Sequence, residues 1–462
     1  MREKSATIPA LREFSPARDA DVVIIGAGVI GSALAYELSR RGLQTLNVDA
    51  LPAAGYGSTS YSSAIIRFSY STPHGVTMAW EALHYWRDWA AYLGLDAAPS
   101  HPASANGTAP EPVAELVSCG MALLDIGSGF AAKVGHLFTE LDIPHERWDV
   151  DQLSQAIPLL DTSLLGPPCR IDDDAFWAEP TSSLAGALWM PDAGYVNDPQ
   201  LAARNLQHAA ERAGGTFRFG ARVVAIERTA DAVSGVRLDD ATVLHAPVVV
   251  NVAGPDSAQI NALAGLADTM SITTTPMRQE VHHLPSPIGP DGEPLRYVVA
   301  DEDTGIYFKP ESGGMIAIGS MEPACDELEW LDSPDDYRST VSNEQWERQT
   351  LRLGRRLPTL TIPHRACGIV GIYDVSSDWI PIYDKTDLGG FYLAAGTSGN
   401  QFKNAPFAAH AMAELILAVE SGHDHDRDPV QVSGPYTQRC VDLGRFSRNR
   451  HLDPDSSFSV LG

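Results

Sequence analysis

Asp21-Val22-Val23-Ile24-Ile25-Gly26-Ala27-Gly28-Val29-Ile30-Gly31 decides the reading of this chain. Val22 to Ile25 form an apolar run without polar interruption, the pattern of a parallel strand buried on both faces. Gly26-x-Gly28-x-x-Gly31 follows at once. Residues 32–41 then carry Ala33, Leu34, Tyr36 and Leu38 without a breaker, until Gly42 stops them. This predicts strand, glycine turn and helix with a glycine C-cap. Residues 45–48 read as a second strand, and Asp49 ends it.

The arrangement is one device. Gly26 allows the tight turn out of the strand, Gly28 lets the backbone approach a pyrophosphate, and Gly31 lets the helix pack on the sheet. The helix start, Val29 and Ile30 included, offers free N–H groups and a positive dipole end to that anion. Asp49 is placed to accept hydrogen bonds from ribose hydroxyls, and its charge disfavours a 2′-phosphate. The motif therefore points to FAD or NAD rather than NADP.

Outward from this core, residues 51–75 are rich in Gly, Ser, Thr and Tyr and read as irregular. Residues 80–93 predict a helix, and residues 97–112 a surface insertion of Ala, Pro, Ser and Gly. Residues 199–213 predict a helix closed by Gly214-Gly215. Residues 217–219, 222–227 and 235–238 read as short strands, and residues 248–252 as a buried strand ending in Ala253-Gly254. Residues 271–321 alternate short strands with turns, as an antiparallel sheet does. Residues 390–395 are a further buried strand, followed by a helix over 405–419. The expected fold is α/β: a Rossmann-like dinucleotide-binding domain interrupted by an inserted α+β domain with an antiparallel sheet. The boundaries are a tail over 1–20; 21–95, 193–262 and 366–425 for the nucleotide domain; 96–192 and 263–365 for the substrate domain; and a C-terminal extension over 426–462.

The 462 residues carry 33 Lys plus Arg against 59 Asp plus Glu, a formal net charge of −26. Such a surface repels phosphate backbones and anionic lipid, so neither nucleic acid nor membrane is expected as a partner. The five cysteines, Cys119, Cys169, Cys325, Cys367 and Cys440, form no CxxC pair and offer no zinc motif. Residues 1–20 are polar and carry no long apolar run, which reads as neither signal peptide nor membrane span. The expectation is a cytoplasmic protein without a metal.

Residues 57–70, Gly57-Ser58-Thr59-Ser60-Tyr61-Ser62-Ser63-Ala64-Ile65-Ile66-Arg67-Phe68-Ser69-Tyr70, resemble the loop after the second strand in the sarcosine oxidase and dimethylglycine dehydrogenase branch of the D-amino-acid-oxidase-like flavoproteins. Residues 71–76 are similar to the β subunit of heterotetrameric sarcosine oxidases. Ala193-Gly194-Tyr195-Val196-Asn197-Asp198-Pro199, Asn251-Val252-Ala253-Gly254 and the block from Gly390 to Lys403 fit the same family. The resemblance runs from about residue 21 to 420 and implies FAD. It implies cofactor contacts from Ser58, Thr59, Ser63, Ala64, Ile65, Val224, Ala253, Gly254, Gly371, Gly399, Asn400, Gln401, Phe402 and Lys403. It also implies a carboxylate clamp of Arg67 and Lys403, with Tyr373, Phe308 and Met321 bordering the substrate. A guanidinium and an ammonium suit a carboxylate.

Some relatives tether their flavin through a cysteine or a histidine. The aligned residues here are Gly371 and Tyr61, so FAD is expected to be non-covalent, and Cys367 reads as a small core thiol. Monomeric sarcosine oxidases activate oxygen with a lysine over the flavin. Ala317 aligns there, with Lys309 as the alternative, so the acceptor is either oxygen or an electron-transfer protein or quinone. The resulting expectation is oxidation of a C–N bond in a small amine, an N-alkyl or cyclic amino acid, by hydride transfer to flavin N5 and imine hydrolysis. Two alternatives stand beside it. Oxidation of a 2-hydroxy acid needs a base, for which His282 or His283 would have to face the flavin. The chain would otherwise be a flavoprotein subunit that works with partner subunits.

Overall fold

The computed structural model describes residues 18–95, 112–127 and 129–462. Most of the expected insertion at 97–112, and most of the N-terminal tail, lie outside the described residues.

Val22–Ile25 is the centre of a six-stranded sheet with the order Ile382–Lys385, Phe391–Ala395, Val248–Asn251, Val22–Ile25, Thr45–Asp49, Thr216–Phe219. All neighbours are parallel except Ile382–Lys385, which runs antiparallel at one edge. The apolar run is needed because both faces are covered. Val22 and Ile24 belong to one hydrophobic cluster, and Val23 and Ile25 to another. Helices Val29–Ser39, Pro199–Arg212 and Ala405–Glu420 pack together on the first face. On the other lie a three-stranded antiparallel sheet, Val223–Arg228, Val233–Leu238 and Val243–His245, and the helix Ser257–Leu263.

The expected helix over 80–93 is instead Pro73–Arg87 followed by a short turn of helix at Trp89–Tyr92. It starts earlier because Thr72 is its N-cap, with Thr72 Oγ1 accepting from Gly75 N at 3.2 Å, and Pro73 occupies the first helical position. The Thr-Pro pair is a helix-start signal that the glycine- and serine-rich surroundings obscure.

A second, nine-stranded sheet stands against the first. Thr274–Pro285 is its long central strand. Gly368–Ser376 pairs with it antiparallel along most of its length, although sequence places that segment in the nucleotide-binding part. Met315–Ser320, Ile306–Glu311, Val298–Asp301, Met121–Asp125, Gly186–Met190 and Glu146–Trp148 continue the sheet; only Val298–Asp301 and Met121–Asp125 are a parallel pair. The helix Asn343–Arg356 covers its far face through Trp346 and Leu353, which pack with Leu284, Phe308 and Ile316.

The C-terminal extension folds back over the first half. A hairpin of Gln431–Ser433 and Cys440–Asp442 lies against Pro73–Arg87, where buried Glu81 accepts hydrogen bonds from Tyr436 N and Thr437 N. Arg448 then pairs with Asp384 at 3.0 Å and Asp387 at 2.6 Å. Beyond this clamp, Ser456–Gly462 runs toward the space between the two sheets. Among the described residues no helix is long and apolar enough to cross a membrane.

Candidate active site

A cavity of about 590 Å³ runs from the Gly26 turn to the facing strands of the nine-stranded sheet. At its first end the fingerprint glycines make the approach possible. Gly26 has φ +114°, and a Cβ there would lie 2.3 Å from the Val252 carbonyl oxygen. A Cβ on Gly31 would meet the Gly26 carbonyl oxygen at 2.3 Å, so the helix sits directly on the turn. Gly28 caps the helix without a side chain, and its place is partly taken from a distance: Thr59 Oγ1 accepts from Val29 N at 3.0 Å.

Asp49 lines the same end. Its carboxylate accepts from Ala27 N at 2.7 Å and Leu51 N at 2.8 Å. Burial raises its pKa above the ordinary carboxylate value, and these two donors offset part of the rise. Further along, Asn400 lies on the cavity wall, its Nδ2 buried without a hydrogen-bond partner among the described residues. A side-chain-free helix start and a backbone that admits no Cβ suit a dinucleotide with a pyrophosphate.

Arg67 and Lys403 stand at the other end, both on the cavity wall and both nearly fully buried. Lys403 Nζ donates to the Asn400 carbonyl oxygen at 2.7 Å and to Tyr70 OH at 3.2 Å. Burial, reinforced by Arg67, holds its ammonium well below the usual lysine range. Burial likewise lowers Arg67. Among the described residues neither cation pairs with an acid. Arg67 instead donates to main-chain oxygens of Ser69, Val460 and Leu461.

Tyr307, Tyr373 and Met321 form the wall beside these cations. Ser63 Oγ lies 2.8 Å from Tyr307 OH, and burial pushes that phenol up to about 12. Gly399 leaves room for the Tyr373 ring, because a Cβ there would fall 2.3 Å from it. Asp374 sets the turn that carries Gly399. It accepts from Gly396 N at 2.7 Å, Thr397 N at 3.1 Å and the Thr397 hydroxyl.

Of the cofactor and substrate contacts expected from sequence, all line this cavity except two. Phe308 is wholly buried in the cluster on the far face of the nine-stranded sheet, under the helix Asn343–Arg356. Its neighbour Tyr307 faces the cavity. Val224 is 42% exposed, and Val223 lines the cavity in its stead. Both displacements are by one residue within a strand, and one residue reverses the face. Ala317 pairs with His283 and Lys309 and does not line the cavity. Lys309 does not either; its ammonium pairs with Glu311 and lies 4.1 Å from the centre of the Tyr195 ring. Cys367 is exposed rather than a core thiol.

His282 and His283 do point to opposite faces, but neither lines the cavity. His282 Nε2 lies 2.9 Å from Glu280 Oε2, and its ring packs edge-on against Trp346. Tyr61 and Gly371 meet on the cavity wall, where a Cβ on Gly371 would approach Tyr61 Cβ to 3.0 Å. Lining residues that the sequence reading did not single out include Tyr307, Gln279 and Asp374 on the wall, and Val460 and Leu461 from the C-terminal extension. The first three carry only the weak signal of strand alternation. The last two carry none.

The comparisons with known proteins agree with this geometry. Residues 21–415 match the family model described as FAD dependent oxidoreductase.

This chain belongs to that family.

The bovine (Bos taurus) FAD-dependent oxidoreductase domain-containing protein 1 is 23% identical, over 87% of this chain and 82% of its own length. The sarcosine oxidase subunit beta of an Arthrobacter species is 22% identical, over 88% and 89%. The crystal structure of glycine oxidase from Geobacillus kaustophilus superposes with a TM-score of 0.67 at 22% identity, covering 94% of this chain and 99% of that one. The chain is an FAD-dependent oxidoreductase of mixed α/β fold.

Proposed function

We propose that this enzyme oxidises the C–N bond of a small amine that bears a carboxylate, an N-alkyl or cyclic amino acid, with FAD held by non-covalent contacts alone. FAD-dependent oxidation of amino acids or amines is supported by the relatives, one named a sarcosine oxidase subunit and another a glycine oxidase. The observation that carries the finer reading is the pair Arg67 and Lys403. Two buried cations, with no acidic partner among the described residues, stand at one end of a cavity whose other end suits a dinucleotide. A substrate carboxylate between them offsets a desolvation cost that both now bear.

Bound FAD supplies an acceptor for the hydride taken from the C–H bond beside the nitrogen. The protein orients that bond. Arg67 and Lys403 fix the carboxylate, and Tyr307, Tyr373 and Met321 enclose the carbon skeleton and exclude water. The imine product is then hydrolysed. In this reading the six-stranded sheet carries the cofactor and the nine-stranded sheet roofs the substrate. Gly371 and Tyr61 standing where some relatives carry a tethering cysteine and histidine supports non-covalent attachment, and oxygen or an electron-transfer partner takes the electrons.

A 2-hydroxy acid needs a base to take the alcohol proton, and the positions of His282 and His283 give this alternative no support. The relative named as a subunit supports a second reading, a chain active with partner subunits. The test is anaerobic flavin bleaching against N-methyl amino acids, cyclic amino acids, primary amines without a carboxylate, and 2-hydroxy acids, followed by air. Bleaching by amino acids alone is the expected result. Bleaching by hydroxy acids alone, or equal bleaching by amines without a carboxylate, defeats the proposal. The rate of recovery in air separates oxygen from another acceptor.

A further inference from the structure

Val460 makes two main-chain contacts that belong together. Its N–H donates to Glu322 Oε2 at 3.2 Å, and its carbonyl oxygen accepts from Arg67 Nη2 at 2.5 Å. The nitrogen and the carbonyl of one residue therefore span an acid and a base. An α-amino acid presents the same two groups, an amine and a carboxylate oxygen, on one carbon. Val460 and Leu461 also lie on the wall of the cavity that Arg67 and Lys403 close.

Glu322 itself does not line that cavity while Val460 occupies its Oε2. It follows Met321 on the cavity wall and precedes Pro323, and its backbone has φ +53°, a left-handed conformation rare outside glycine. Ser320 Oγ accepts from its N–H at 3.0 Å, and Gln279 Nε2 donates to its second oxygen at 3.1 Å. It has no cationic partner among the described residues, and burial pushes its carboxyl up to about 8. The charged and titratable groups around it are Asp326, which adds to the rise, and Tyr307 and Tyr373 on the cavity side; Arg67 reaches it only through the main chain of Val460.

We infer that Glu322 binds the amine nitrogen of the substrate opposite Arg67, and that the main chain of Val460 competes with the substrate for this one site. The inference rests on the amino-acid reading above. An amino acid arriving as an ammonium gives its N–H to Glu322 Oε2. In its ionised form, which prevails above about pH 8, Glu322 takes that proton and leaves the neutral amine that hydride loss requires. The strap over Ser457–Gly462 has to yield first. Among the described residues its outer polar anchors are Ser456 Oγ on the Asp378 carbonyl oxygen and Ser71 on the Gly462 main-chain oxygen, while Val460 and Leu461 are packed in apolar clusters.

Two variants of the FAD-loaded enzyme test this, Glu322→Gln and Val460→Pro. The second removes the competing N–H without touching Glu322. Anaerobic calorimetric titration uses glycine, N-methylglycine and L-proline as amino acids, and acetate and propionate as carboxylates without an amine. In Glu322→Gln the amino acids are expected to bind roughly tenfold or more weaker and the plain carboxylates unchanged, and the acidic limb of kcat/KM against pH is lost. In Val460→Pro both classes bind tighter, and Ser71→Ala, which loosens the strap at its other end, shifts both the same way.

Equal weakening of both classes in Glu322→Gln, or no change in either, overturns the assignment of Glu322. Unchanged or weaker binding in both strap variants overturns the competition. If no amino acid bleaches the wild-type flavin, the amino-acid reading itself has failed. Bleaching of the wild type together with wild-type behaviour of Glu322→Gln defeats only this inference.

Discussion

Arg67 and Lys403 share one aromatic ring: the Arg67 guanidinium carbon lies 4.8 Å, and Lys403 Nζ 5.3 Å, from the centre of Tyr70. Their residue numbers are far apart, and the two cations repel. The Tyr70 ring face eases the strain on both, but a full counter-charge is missing among the described residues. Arg67→Ala is therefore expected to raise KM for a carboxylate-bearing amine by roughly two orders of magnitude, and Arg67→Lys to recover part of it. Steady-state kinetics against an amine with and without its carboxylate checks this; the amine without one should respond to neither variant.

Lys403 adds a proton to the same event. Burial lowers its folded-state pKa well below the ordinary lysine value. Between that folded value and the unfolded one, the unfolded chain binds a proton that the folded chain does not, so this group's contribution to stability rises with pH through the window. A bound carboxylate restores the ammonium. Carboxylate binding in that window should take up a proton, and affinity should fall as pH rises. Calorimetry in buffers of different ionisation enthalpy measures the uptake, which Lys403→Met should abolish.

Glu322 has the opposite sign. Its folded pKa of about 8 lies above the ordinary value of 4.5. From 4.5 to 8 the folded chain holds a proton that the unfolded chain lacks, so stability falls as pH rises through that window and levels off above it. Denaturant midpoints at pH 5 and pH 8.5 should differ less for Glu322→Gln than for the wild type.

Acid precipitation should release all the flavin into the supernatant, because Gly371 and Tyr61 replace the cysteine and histidine that tether it in some relatives. Absorbance of the pellet and supernatant decides the point. Retained yellow colour in the washed pellet is the contrary result.

Arg356 is the structural counterpart of these site residues. It is wholly buried and pairs with Asp301 at 2.8 Å and Asp303 at 2.7 Å. Asp303 in turn accepts from Leu165 N and Gly166 N. Arg356→Ala leaves two acids buried and should cost about 3–5 kcal/mol, read as a shift in the urea midpoint. Activity per folded molecule should change little, because the network faces away from the cavity.

Much of the fold was legible because its signals are local. A buried parallel strand has to be apolar throughout, and Val22–Ile25 is. A tight turn beneath a helix has to be glycine, and Gly26 and Gly31 are. The Arg67 and Lys403 motifs sit in glycine- and serine-rich stretches that stand out from their surroundings. The long strands of the second sheet were less legible. Tyr307 and Phe308 look alike in composition, and only register tells which faces the cavity.

The chain alone thus determined the dinucleotide turn, its helix and the acid at the end of the second strand, each by a short run of residues whose physics is self-contained; the two cations were named through the family resemblance. Three things were decided only by the tertiary structure. Strand register put Tyr307 rather than Phe308 on the cavity wall. Packing turned His282 toward Trp346 and away from the site. The fold-back of the C-terminal extension set Val460 between Glu322 and Arg67, across 138 and 393 residues of chain. Contacts that distant leave no periodicity and no motif, because the backbone groups that make them are the same in every residue.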